Sequence, residues 1–289
     1  MSILIDILLD SIRNEFEKKE PSWQLSSLTE EDMHFLKKEC MQDSEFDPSN
    51  KRKTMFEDLV KGKAPVVLAS CPYGQVTAVF EHPKQIEEVP WGLWARIFRL
   101  YSEKKRGKPF KVYFLANTKR RYFPPGKQEI TPENINGGYT YPCNRETILI
   151  YRAEDATRVI LHELMHSCCL DKHENGVDQV EAETEAWAEA VYVAFLSEGD
   201  PVRFQGLLDR QSNWMLSQNE EVKKHMKNLT SKEFPWRYTL GKEEVWRRWG
   251  LFETKRASRV AIKNSLRLTF PVDNAIKKRF QVKESSTIL

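Results

Sequence analysis

A histidine, a glutamate and a second histidine one helical turn on, His162-Glu163-Leu164-Met165-His166, stand inside the aliphatic run of residues 158–169, RVILHELMHSCC. On a helix with Asp155 in its first turn and an end near Leu170, His162 and His166 share one face and Glu163 leans toward the same side. Ile160, Leu161, Leu164, Met165 and Cys168 take the opposite arc. A helix patterned this way has to be internal, apolar behind and polar in front. Imidazoles at i and i+4 can share one zinc ion at about 2.0–2.1 Å, and a glutamate between them reaches a water on that ion rather than the ion itself. The other reading of the same residues is a core helix whose histidines are satisfied by carboxylates.

A second stretch bears on that choice. In residues 180–196, VEAETEAWAEAVYVAFL, a helical wheel puts Glu181, Glu185, Glu189 and Tyr192 on one stripe and Ala182, Ala186, Ala190, Val193 and Ala194 on an apolar back that Glu183 interrupts. Glutamates at i, i+4 and i+8 repel one another, and no lysine in the stretch offsets them. A nearby cation resolves the conflict. A solvated acidic face is the plain alternative, but the small and aromatic neighbours indicate close packing.

Taken together, the two stretches resemble the gluzincin clan of zinc metallopeptidases: His162-Glu163-Leu164-Met165-His166, then eighteen residues, then Glu185-Ala186-Trp187-Ala188. The spacing and the E-x-x-A form are particularly like those of the aminopeptidase branch, and the resemblance covers residues 136–196. It implies Zn2+ held by His162, His166 and Glu185, with Glu163 as general base and Glu189 as the outer acid that orients a histidine. It also implies a zincin-like, mostly helical α+β fold, with a mixed α/β N-terminal lobe, a helical C-terminal lobe and an active-site cleft between them. Two departures matter. The metzincin pattern needs glycine where Cys169 stands and histidine or aspartate where Lys172 stands, which excludes that branch. The G-x-M-E-N motif that binds a substrate amine in the aminopeptidase branch is absent, so specificity for a free N-terminus is not implied. Glu181 is a rival third ligand, with Glu185 then standing behind it.

Just upstream, residues 136–152 (NGGYTYPCNRETILIYR) lie where similar clan members carry an edge strand along the cleft. Such an edge offers backbone groups to an extended peptide, and Gly137 and Gly138 permit close approach. A plain hairpin feeding a core strand explains the same residues equally well. Tyr192, Tyr238 and His225 are candidate donors to an oxyanion; Tyr238, in the proline-broken FPWRYTLG, is preferred. Cys168 and Cys169 read as small core residues rather than thiolate ligands. The expected function is therefore a zinc-dependent peptidase acting on peptide or protein substrates, endopeptidase ahead of exopeptidase. One alternative is a metallo-carboxypeptidase using Arg237 or Arg145 to hold a terminal carboxylate. Another is a non-catalytic, zinc-stabilised binding protein with His173 or Cys169 as fourth ligand.

Elsewhere the chain reads more coarsely. Helices are expected at residues 2–19 and 28–42, the second capped by Ser27 or Thr29. A polar connection up to Lys53 makes 1–53 a separate helical segment ahead of a catalytic domain at 54–289, divided into an α/β lobe (54–170) and a helical lobe (171–289). APVVLASC, QVTAVFEH and FKVYFLAN read as strands and WGLWARIFRLYSEK as a helix; beyond Tyr151 nearly everything reads as helix. Residues 118–138 read as a loop. Five cysteines, an odd number without CxxC spacing, suit free thiols in a reducing compartment. Asp6 and Asp10 break the first apolar run, and no stretch reaches the roughly 18 apolar residues of a membrane span. A cytoplasmic protein is expected, with the sequon at Asn228 silent. The net charge of +3 is mild. Its positive excess gathers at residues 255–283, where Arg256, Arg259, Lys263, Arg267, Lys277, Lys278 and Arg279 face only Asp273, so a nucleic acid or acidic partner is conceivable there, as is a solvated helix face. Residues 286–289, STIL, fit a PDZ ligand.

Overall fold

Runs of β-branched and aromatic residues build a sheet, and helices of 3.6-residue periodicity pack around it. A computed structural model describes residues 3–45, 47–171, 176–228, 234–252 and 258–280 of the 289. Lys172, His173, Thr230 of the sequon, Arg256 and the terminal 286–289 lie outside the described residues. Along the chain run α1 (Ile3–Glu17), β1 (Gln24–Ser26), α2 (Glu30–Met41), α3 (Lys51–Val60), β2 (Val66–Cys71), β3 (Gly74–Phe80), α4 (Gln85–Glu88), α5 (Trp91–Lys104) and β4 (Phe110–Ala116). Then come α6 (Pro132–Ile135), β5 (Gly138–Tyr139), β6 (Ile148–Ile150), α7 (Ala156–Ser167), α8 (Val177–Ser197), α9 (Pro201–Lys224), α10 (Phe234–Tyr238), α11 (Leu240–Arg248) and α12 (Asn274–Phe280). The fold is mixed α+β.

Two compact units are made of interleaved stretches of chain. One comprises Lys19–Lys119, Gly137–Cys169 and Val272–Leu289. It holds a six-stranded sheet of order β1-β2-β3-β4-β6-β5, with β3, β4 and β6 parallel and the other pairings antiparallel. Successive strand residues face opposite sides. On one side Val79, Tyr113, Leu115 and Leu149 join Leu36 and Cys40 of α2 and Met55, Phe56 and Leu59 of α3 in a single apolar core. On the other, Phe114 of β4 meets the Trp94 ring of α5 edge-on at 5.4 Å. Helix α2 starts at a capping box: the Thr29 hydroxyl accepts from the Asp32 amide at 3.1 Å, and the Asp32 carboxylate accepts from the Thr29 amide at 3.3 Å.

The second unit comprises Met1–Lys18, Arg120–Asn136 and Leu170–Pro271. Helix α8 is its spine, with α1, α9, α10 and α11 packed on it. Helix α1 turns Ile5, Leu9 and Ile12 inward and sets Phe16 edge-on to Phe195 of α8, so it belongs with the C-terminal helices. Helix does not continue unbroken beyond Tyr151: described residues between α11 and α12 are non-helical. Residues 120–136, expected as loop, contain the single turn α6 and an isolated bridge from Tyr122 to Ser265. No helix among the described residues is long and apolar enough to cross a membrane.

Helix α7 lies against β5, β6 and α5. The approach to β5 depends on Gly138. A Cβ there would stand 2.8 Å from both Ile150 Cδ1 and Val159 Cγ1 and 2.9 Å from the Leu149 carbonyl oxygen. Gly138→Val is therefore expected to lower the stability of the chain by about 1–3 kcal/mol, the cost of overpacking a filled core. Urea denaturation checks it; an unchanged midpoint would contradict this account of the contact.

Candidate metal centre

The residues from Val159 to Met165 are all buried, His162 and Glu163 among them, so α7 carries its polar face into the protein interior. Two hydrogen bonds fix it in its own unit: Trp94 Nε1 donates to Thr157 Oγ1 at 2.9 Å, and the Tyr101 hydroxyl donates to the Leu161 carbonyl at 3.4 Å. Asp155 differs from the expected first-turn acid. It precedes the helix with φ 61°, in the left-handed region, and makes no side-chain cap. Aspartate is one of the few residues that tolerates this conformation.

His162 and His166 meet at their ring edges. Their Nε2 atoms are 2.9 Å apart and the rings stand at 72°. At that distance two lone pairs cannot face each other; a proton or a shared cation has to lie on the line or near it. His162 is buried and His166 half-buried.

The acidic stripe of α8 is also mostly inside. Glu181 is half-buried, whereas Glu185 and Glu189 are 2% and 0% exposed. Glu183, off the stripe, accepts from Arg248 at 2.7 Å. His162 and His166 stand in one compact unit, and Glu181, Glu185 and Glu189 in the other.

Glu189 has a different setting from the one the resemblance implies. Its Oε2 accepts from Lys242 Nζ at 3.1 Å and its Oε1 from the Thr269 hydroxyl at 2.9 Å, while Lys242 also donates to the Leu268 carbonyl at 3.0 Å. Both ends of the ion pair are essentially solvent-free. The repulsion along α8 is therefore partly offset by a lysine from α11. The signal for it was present: Lys242 occupies a helical stripe with Val245 and Trp246, and Trp246 Nε1 donates to the Ala186 carbonyl at 3.0 Å.

The other named side chains are placed as follows. Tyr238 is half-buried on α10, its ring 5.1 Å from that of Phe234. Tyr192 is half-buried on α8. His225 is a core residue, bonded through Nδ1 to the Gln128 carbonyl at 2.7 Å and stacked on Phe123. Arg237 is ion-paired with Asp178, and the Arg145 guanidinium lies 4.7 Å above the Phe110 ring while donating to the Lys105 carbonyl. Both arginines proposed for a terminal carboxylate thus have protein partners. In the basic zone Arg259 pairs with Glu220, and Lys277, Lys278 and Arg279 are exposed on α12.

The expectation of five free thiols is overturned. Cys143 and Cys169 form a disulfide across 26 residues, leaving Cys40, Cys71 and Cys168 as thiols. Cys168 is the buried core residue expected; Cys169 instead turns outward into the cystine with φ 52°. Burial pushes the Cys40 thiol up to about 12 and raises that of Cys168.

Comparison with protein-family models, curated proteins and solved structures returns no match.

Removing one partner of a buried ion pair costs about 3–5 kcal/mol, because the other charge stays behind uncompensated. Lys242→Met and Glu189→Gln are each expected to destabilise on that scale, and the double variant by clearly less than their sum. A double-mutant cycle from denaturant unfolding measures the coupling. Simple additivity would mean that the pair does not anchor α11 to α8.

Proposed function

We propose that this chain is a zinc-dependent peptidase with a gluzincin-like, zincin-like site, in which His162, His166 and a carboxylate of α8 hold the metal. The observation that carries the proposal is the convergence of two imidazole nitrogens at 2.9 Å on a buried helix, with Glu163 buried next to His162. Two nitrogens and a carboxylate oxygen suit Zn2+. Three protein donors leave a fourth position for water, the mark of a catalytic rather than a closed structural site. When bound, zinc supplies a Lewis acid for the scissile carbonyl and lowers the pKa of its water to about 7.

The remaining roles fall to the chain itself. Glu163, adjacent to His162 and buried, accepts at its carboxylate the proton of the attacking water and delivers it to the leaving amine. Tyr238, on a helix that packs against α8, is assigned as second donor to the oxyanion. Strand β5 ends the sheet, so its outer backbone groups can pair with an extended peptide or protein substrate. We assign the third ligand to Glu185, with Glu181 as its rival on the same stripe. The proposed setting is cytoplasmic, on the strength of the three cysteines that remain thiols.

The test combines metal analysis with digestion of a mixed peptide library read by mass spectrometry. Wild type is expected to bind one zinc and cut. Glu163→Gln keeps the zinc and loses about 10²–10⁴-fold in rate, the range for a lost general base. Glu185→Gln loses the metal and Glu181→Gln retains it. Wild type without zinc, or Glu163→Gln cutting at the wild-type rate, would refute the proposal.

A further inference from the structure

We infer that the Cys143–Cys169 cystine is a thiol–disulfide exchange site, opened by a dithiol, that sets how firmly the C-terminal end of α7 is held beside His166. The inference rests on the metal site proposed above only for its effect on zinc. The geometry of the cystine stands by itself.

Cys143 belongs to the loop that joins β5 to β6, and Cys169 follows the last turn of α7. Their backbone amides converge on one acceptor: both donate to the His166 carbonyl oxygen, each at 3.0 Å. Each residue also sits in the left-handed region, with φ 62° at Cys143 and 52° at Cys169. Cysteine does not favour that region, so the surroundings must hold both residues there. The covalent bond and the shared carbonyl are two such holds, and they act on the same turn of helix. A candidate metal ligand supplies the carbonyl.

Exposure makes this bond the one open to exchange. Both halves of the cystine are exposed, whereas Cys168 and Cys40 are buried and Cys71 is half-buried on β2. An incoming thiolate therefore meets the cystine before the three cysteine thiols. It attacks one of them, the S–S bond breaks, and the other cysteine leaves as a thiolate that takes up a proton. The second thiol of the dithiol then displaces the remaining cysteine from the mixed disulfide. Two electrons and two protons have passed to the protein, and the dithiol leaves as a cyclic disulfide. With the bond open, Cys143 and Cys169 can leave the left-handed region, and the His166 carbonyl loses the donors that closed the end of α7.

The experiment uses the full chain, poised at a series of dithiothreitol to oxidised-dithiothreitol ratios. Alkylation under denaturing conditions is expected to label three thiols in the oxidised protein and all five in the reduced one. Hydrogen exchange at the Cys143 and Cys169 amides should rise about tenfold or more on reduction, the sign of local opening. Cys143→Ser should show the fast exchange at every ratio, and Cys168→Ala should titrate like wild type. Zinc affinity, measured against a chelator, should fall about tenfold on reduction, the scale of a lost outer support of a ligand. Five labelled thiols without reductant, or equal exchange in both forms, overturns the inference. Changed exchange with no zinc in either form would leave the exchange site standing and remove the peptidase proposal; equal exchange with zinc bound alike in both would do the reverse.

Discussion

Two imidazole nitrogens 2.9 Å apart on a buried helix are the constraint around which the chain is organised. Two bare Nε2 lone pairs in that pose would oppose each other, so a proton or a shared cation has to lie between the rings. The rest of α7 holds them there. Its apolar back packs on β5, β6 and α5, its first turn is bonded to Trp94, its middle to Tyr101, and its end is capped by the two cystine amides. Fixing a helix at start, middle and end by partners from different elements leaves little freedom for the imidazoles to swing apart. A metal site needs this kind of preorganisation.

The acidic helix is held by different means. Helix α8 carries its glutamates into the interior of the second unit, where a lone carboxylate would be expensive. At Glu189 the structure answers with a lysine, a hydroxyl and close packing by Trp246. Thus the lower part of the stripe is neutralised from within its own unit. Glu181, further up the helix, is half-buried. One helix therefore combines a carboxylate neutralised by a lysine with a half-buried one, and burial and partners distinguish them where residue type does not.

Much of this was legible in the sequence wherever a signal was periodic. The aliphatic arc of α7, the stripe on α8 and the β-branched runs of β2, β3 and β4 each impose their own period, and those elements stand where expected. What was not legible depends on distant partners. Strand β1 is three exposed residues, Gln24 to Ser26, and exists only because β2 offers it an edge. Helix α3 opens on Lys51-Arg52-Lys53, which reads as solvated chain until Asp47 accepts the Arg52 amide at 2.9 Å. The Cys143–Cys169 bond joins residues with no local motif between them. Glu181 and Glu185 lie on the same stripe one turn apart, so periodicity could not choose between them.

The central claim is that this site is an open zinc site of nitrogen and oxygen donors, and X-ray absorption at the zinc edge of the loaded protein tests it most directly. The account predicts two imidazoles and oxygen ligands from a carboxylate and a water at about 2.0–2.2 Å, with no sulfur. A sulfur shell near 2.3 Å would contradict it. So would four protein ligands with no place for water.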